Sequence, residues 1–168
     1  MSGYTNTPSR QTAGYMPQNK VRTDYGSDSA RNQLKTDYGP NPFAIDIGKA
    51  TLANDTYRTV LWTGRNLQLA LMSINPHDDI GLEAHPDNDQ FIRIERGTGV
   101  VQMGPSRDNL YFQQNVYDDY AIFVPAGTWH NITNTGREPM KLYTLYAPPH
   151  HPWGTIHQTK AIAQAQGD

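Results

Sequence analysis

From Pro42 onward the sequence breaks into short segments rich in β-branched and aromatic residues, each closed by a turn signal. That punctuation constrains the chain more than any other feature, because helices need longer apolar periodicities than these segments provide. The candidate strands are Phe43–Ile47, Tyr57–Trp62, Leu67–Ile74, Gln90–Glu95, Gly99–Met103, Leu110–Val116, Ala121–Val124, His130–Thr133 and Lys141–Tyr146. Between them stand Thr63-Gly64, Asn75-Pro76, Arg96-Gly97, Gly104-Pro105, Pro125-Ala-Gly127 and Thr135-Gly136. Many segments alternate apolar with polar residues, as antiparallel strands with one covered face do. Only Thr159–Gln166 reads as a helix, and it is short. The expectation for residues 42–168 is one all-β domain of β-sandwich or jelly-roll size, and composition does not choose between the two.

Residues 1–41 differ in kind. Gly, Pro, Ser, Thr, Asn and Gln fill 23 of the 41 positions, and Val21 and Leu34 are the only large aliphatic residues besides two Met. Burial of so little apolar surface cannot offset a backbone entropy cost of roughly 1–2 kcal/mol per residue, so a disordered tail is expected. It carries a short repeat, Thr23-Asp-Tyr-Gly26 and Thr36-Asp-Tyr-Gly39, with Arg22 and Lys35 in front. Tyrosines interleaved with arginines suit weak cation–π contacts with a protein partner.

The net charge of −2 divides into +2 for residues 1–41 and −4 for the rest. An acidic body argues against nucleic-acid binding, which needs a basic surface for phosphate. The absence of Cys excludes a disulfide scaffold, a zinc finger and thiol catalysis. No apolar stretch approaches the length of a membrane span, and the N-terminus lacks a signal-type apolar region. A soluble, cytoplasmic protein with no membrane association is expected.

Two stretches carry the chemistry. The first runs from Gly81 to Gly97 and contains Glu83, His85 and Gln90; the second is Pro125-Ala-Gly-Thr-Trp-His130-Asn-Ile-Thr-Asn134. Glu83 and His85 are two apart, so in an extended segment both side chains point to one face. Gln90 opens one strand, with Ile92 and Ile94 on its face, and His130 opens another after the Pro-x-Gly turn. Carboxylate, imidazole, amide and imidazole from three strands could converge inside a barrel, which is how rigid strands build a metal pocket.

This pattern resembles the cupin superfamily of small jelly-roll metalloproteins. The second cupin motif is matched at Pro125, Gly127, His130 and Asn134, with Asp119 in place of its leading Gly. The first is matched in spacing from position 83 through His85 and position 90 to Gly97, with Glu83 where the family has its first His and Gln90 where it has Glu. The two departures compensate in charge: the set keeps one carboxylate, moved from third position to first. The flanks, Tyr38–Phe43 and Tyr146–Pro149, are similar to those of small single-domain cupins of the mannose-6-phosphate-isomerase-like group. The resemblance implies a jelly-roll (double-stranded β-helix) barrel, a small-molecule ligand and a homodimer. Two His and one carboxylate, Glu83, His85 and His130, with Gln90 as a weak fourth ligand, suit iron(II) or another divalent metal ion such as manganese, nickel or zinc. Copper(I) is disfavoured without sulfur.

Other candidates are weaker. His150, His151 and His157 read as loop-surface residues, His77 as a turn residue, and the pairs Asp78/Asp79 and Asp118/Asp119 as loop solvation. Arg93 and Trp129 alternate with inward residues and are expected to face outward. Tyr143 and Tyr146, three apart, cannot both face inward. Three functions remain open: a metal-dependent enzyme acting on a small organic or sugar-like substrate, by isomerisation or oxygenation; a non-catalytic small-molecule binder; and an assembly protein that uses a dimeric barrel and its Tyr-rich tail.

Overall fold

The computed structural model describes residues 37–167. The expected tail lies outside the described residues up to position 36, and so does its Tyr/Arg-based partner role. Residues 37–41 belong to the folded part instead. The buried Asp37 carboxylate accepts hydrogen bonds from Gly39 N (2.9 Å), Thr63 N (2.9 Å), Thr63 Oγ1 (2.5 Å) and Gly154 N (3.1 Å). One acidic side chain therefore ties the entry of the domain to two distant loops.

Eight of the nine expected strands form: β1 (Arg58–Thr63), β2 (Gln68–Ile74), β3 (Asp89–Arg96), β4 (Gly99–Gly104), β5 (Phe112–Val116), β6 (Ala121–Val124), β7 (Trp129–Asn134) and β8 (Met140–Ala147). The ninth, Phe43–Ile47, does not. Its apolar residues pack beside a helix, α1 (Ile47–Ala53), whose N-terminus is capped by the Asp46 carboxylate accepting from Lys49 N at 3.1 Å. The cap satisfies a backbone donor that a strand would have had to pair, and no neighbouring edge is there to pair it. A two-residue strand, β9 (Ile156–His157), adds to β1, and the expected C-terminal helix forms as α2 (Lys160–Ala165), capped by Thr159.

The strands make two antiparallel sheets, one of order β6-β3-β8-β2-β1-β9 and one of order β5-β4-β7. The inner faces enclose the main core, which includes Met72, Ile92, Ile94, Val101, Ile122, Ile132 and Leu142. A smaller cluster lies on the outer face of the large sheet, where Leu61 and Leu71 meet α1 residue Ala50, Tyr38 and Phe43. Gly97, which closes the first sequence motif, sits at φ 121° with its missing Cβ only 3.0 Å from Met140 Cα, so that turn needs glycine twice over.

Register sorts the inner faces into layers along the barrel, since directly paired residues share a face. In the large sheet one layer is Met72, Leu142 and Ile94, the next is Ala70, Thr144, Ile92 and Ile122, and the third is Gln68, Tyr146, Gln90 and Val124. The small sheet supplies Asn134, Gly99 and Val116, then Ile132, Val101 and Gln114, then His130, Met103 and Phe112. One end of the barrel is thus mostly apolar, and the other collects buried Gln, Tyr and His. Asn134 staples the apolar end: its side-chain amide donates to Ile74 O and Glu138 O, both at 2.9 Å, and its carbonyl accepts from Gly136 N.

Candidate metal centre

The segment before β3 follows β7 in antiparallel fashion without becoming a regular strand. Ile80 N donates to Ile132 O (3.1 Å), Glu83 N to His130 O (3.1 Å), His130 N to Glu83 O (2.9 Å) and Gly127 N to His85 O (2.8 Å). Gly81, at φ 87°, interrupts the ladder. The two-residue alternation survives, and Glu83 and His85 both turn toward His130.

The three side chains meet. Glu83 Oε1 lies 3.2 Å from His85 Nε2 and 3.6 Å from His130 Nε2, and the imidazole centroids are 5.4 Å apart at 63°. One donor atom from each residue falls within 4.8 Å of the others. Donors bound to one ion at about 2.0–2.2 Å stand roughly 3–4 Å apart, so a small closure would bring all three into range. His130 Nδ1 is 3.0 Å from the Thr128 carbonyl, which requires a proton on Nδ1 and leaves Nε2 as a lone pair. That Nε2 is buried and makes no hydrogen bond among the described residues. The opposite sheet offers a second such atom: Gln90 Nε2 donates to Thr144 Oγ1 at 2.9 Å, and Gln90 Oε1 is buried without a hydrogen-bond partner. Unsatisfied buried acceptors cost about 1–3 kcal/mol each, and His130 Nε2 beside the Glu83 carboxylate fits a cation.

Electrostatics agree with that fit. Burial pushes the Glu83 carboxyl up, but its interactions with the His130 and His85 imidazoles outweigh burial and hold it well below the usual carboxylate range. Glu83 is therefore held in its charged form, the form that draws in a cation.

Several residues lie elsewhere than the sequence suggests. His150 is exposed, but its ring packs 4.1 Å from that of His85 and stacks on the inward-facing Tyr146 at 5.4 Å. His151 and His157 are buried rather than on the surface. The Gln68 side chain fixes this loop, accepting from His150 N (3.2 Å) and His151 N (2.9 Å) and donating to His151 O (2.8 Å). The sequence marks Gln68 only as a polar residue inside the apolar run Leu67–Ile74, with nothing local to name its partner. Asp78 and Asp79 do more than solvate a loop: both accept from Lys160 Nζ, at 2.8 and 2.6 Å. Arg93 faces outward to Glu95 (3.0 Å) and Asp119 (2.5 Å), and Trp129 faces outward under the Arg107 guanidinium at 5.6 Å. His77 sits in a turn at φ 64°.

The profile of the Cupin domain family matches residues 70–146, a span that includes all four candidate ligands. Protein YrkC of Bacillus subtilis is 61% identical over 138 residues, covering 82% of this chain and 74% of that protein. Protein L612 of Acanthamoeba polyphaga mimivirus is 43% identical over 115 residues, covering 68% and 70%. The crystal structure of BH2720 from Bacillus halodurans superposes with a TM-score of 0.77 at 60% identity, covering 77% of this chain and 98% of that one.

Proposed function

This chain belongs to the cupin family, and from that premise we propose that Glu83, His85 and His130, with the Gln90 amide oxygen as a weaker fourth donor, hold one divalent metal ion for an enzyme acting on a small organic molecule. The observation that carries this reading is the state of His130: its Nδ1 is committed to the Thr128 carbonyl, and its buried Nε2 is aimed at a charged carboxylate and a second imidazole. Each of the three contributes differently. Glu83 supplies the charge that draws in a cation, and the imidazoles supply neutral nitrogen donors that suit iron, manganese, nickel or zinc. Gln90, anchored by Thr144, presents its oxygen from the facing sheet. Such an ion supplies Lewis acidity toward a carbonyl or hydroxyl oxygen. The chain's own part is to fix the donors on paired backbone and to bury His85 and His130 within the barrel.

Elemental analysis of protein purified without chelator tests the site. About one divalent ion per chain is expected in the wild type, and close to none in the Glu83→Ala/His130→Ala double variant. Equal, negligible metal in both would end the reading. A wild type that keeps its ion and binds small molecules without turning any over would make it a binding protein instead. The reading extends to a homodimeric, cytoplasmic protein.

A further inference from the structure

A groove of about 420 Å³ lies against the Pro125–Thr128 turn that leads into His130, although none of the four candidate ligands lines it. It is lined by Met103, Tyr111, Phe112 and the turn Pro125–Thr128, and none of the described residues that line it is charged. Its walls are joined to the centre in two ways. Met103 and Phe112 stand in the same cross-strand layer as His130, side by side on the inner face of the small sheet. The turn residues Gly127 and Thr128 hydrogen-bond to His85 O and His130 Nδ1, respectively. The outer wall is aromatic: Tyr111 is 79% exposed and Phe112 40%, more than folding alone would leave on a thioether- and proline-lined surface.

Charge narrows the ligand. One carboxylate and one divalent ion leave a net +1 at the centre, which a singly charged oxygen chelate neutralises, whereas a phosphate monoester brings nearly two charges into a groove with no cation to meet them. The groove is within the usual size range of small-ligand sites, and its walls suit a flat apolar body. We propose that the Met103–Tyr111–Phe112 groove receives the aromatic or similarly flat apolar body of a substrate whose hydroxycarboxylate or enolate head meets the metal centre. Sugar phosphates are excluded on the same grounds. This assignment rests on the metal reading above, and it adds the class of substrate.

The test compares three probes on the manganese-loaded, full-length protein by titration calorimetry: salicylate (head plus ring), glycolate (head alone) and glucose 6-phosphate. Salicylate should bind about tenfold or more tightly than glycolate, and glucose 6-phosphate no more tightly than glycolate. The Tyr111→Ser/Phe112→Ser variant, changed only at exposed positions, should lose the salicylate advantage and keep its glycolate affinity and melting temperature. Salicylate no tighter than glycolate, an advantage that survives the double substitution, or a preference for the phosphate would each overturn the groove assignment. Metal content measured on the same samples separates the two failures. A wild type that retains none of manganese, iron, nickel and zinc overturns the metal reading and the groove assignment with it, whereas a retained ion without ring preference overturns the groove assignment alone.

Discussion

At the residue scale the centre depends on charge placed where the family pattern has none. Glu83→Gln keeps the shape of the side chain and removes its charge, so metal affinity should fall by at least about 100-fold while the barrel stays folded. Retained stoichiometric metal in that variant, read by elemental analysis after dialysis, would show that the carboxylate is not a ligand. Gln90 separates donor from spectator. Gln90→Leu removes the buried oxygen at similar volume and should weaken metal binding by about tenfold, whereas Gln90→Glu adds a second carboxylate and should strengthen it. Identical affinities in the two variants would leave Gln90 with only its Thr144 contact. Sequence spacing was enough to put Glu83 and His85 on one face, because a two-residue step fixes local direction, and the cupin motifs brought His130 to them. It was not enough for His150. That ring reaches His85 through a loop held by Gln68, 82 positions away, and no local pattern encodes such a distance.

At the element scale, punctuation and alternation located eight strands and α2, since turn chemistry and side-chain period are local properties. Phe43–Ile47 misled for a physical reason: its alternating apolar residues are buried against the outer face of the large sheet, yet no free strand edge pairs its backbone. The two sheets are held by their shared core, and Ile132, fully buried on β7, is a fair probe of it. Ile132→Ala should cost about 2–5 kcal/mol in chemical denaturation. A loss under 1 kcal/mol would mean that the sheets do not pack as described. The attachment of α2 adds an ion-pair network to the burial of Ala163 in the same core. Burial raises the Asp78 carboxyl, but its bond to the Lys160 ammonium outweighs burial and lowers it overall; burial lowers Lys160, and its bonds to Asp78 and Asp79 raise it overall. A depressed acid stabilises the fold above its unfolded value of about 3.9 and loses that contribution as pH falls through its folded value, while a raised amine contributes below about 10.4 and loses it above. Docking of α2 is therefore favoured between those limits. Amide-exchange protection of residues 161–166, compared with a distant strand such as β8, should drop as pH falls below about 4 in the wild type and be lower already at pH 5 in Lys160→Met. The pair is partly exposed, so the drop should shrink in high salt. Protection that is the same in both proteins at pH 5 would mean that the ammonium does not hold the helix.

At the scale of the whole molecule, the outer face of the large sheet is only half covered. Tyr38, Phe43 and α1 pack over β1, β2 and part of β8, burying Leu61 and Leu71 beneath them. Toward the β6 edge none of the described residues provides such cover. Phe123 is 69% exposed, meets Phe91 edge-to-face at 5.2 Å, and Phe91 in turn lies 6.2 Å from Tyr143. An aromatic cluster next to an unpaired edge strand is the kind of surface that either finds a partner or invites aggregation. In the proposed homodimer a second copy covers it, which protects the β6 edge. Phe123→Asp puts a charge at the centre of that contact without touching the core. The wild type should sediment at twice the 18.9 kDa of a single chain and the variant at 18.9 kDa, with the variant's metal content unchanged. Metal binding should survive the dissociation, since all four candidate donors come from one chain. A wild type that sediments as a single chain at micromolar concentration, or a dimer indifferent to Phe123→Asp, would move the interface elsewhere or remove it.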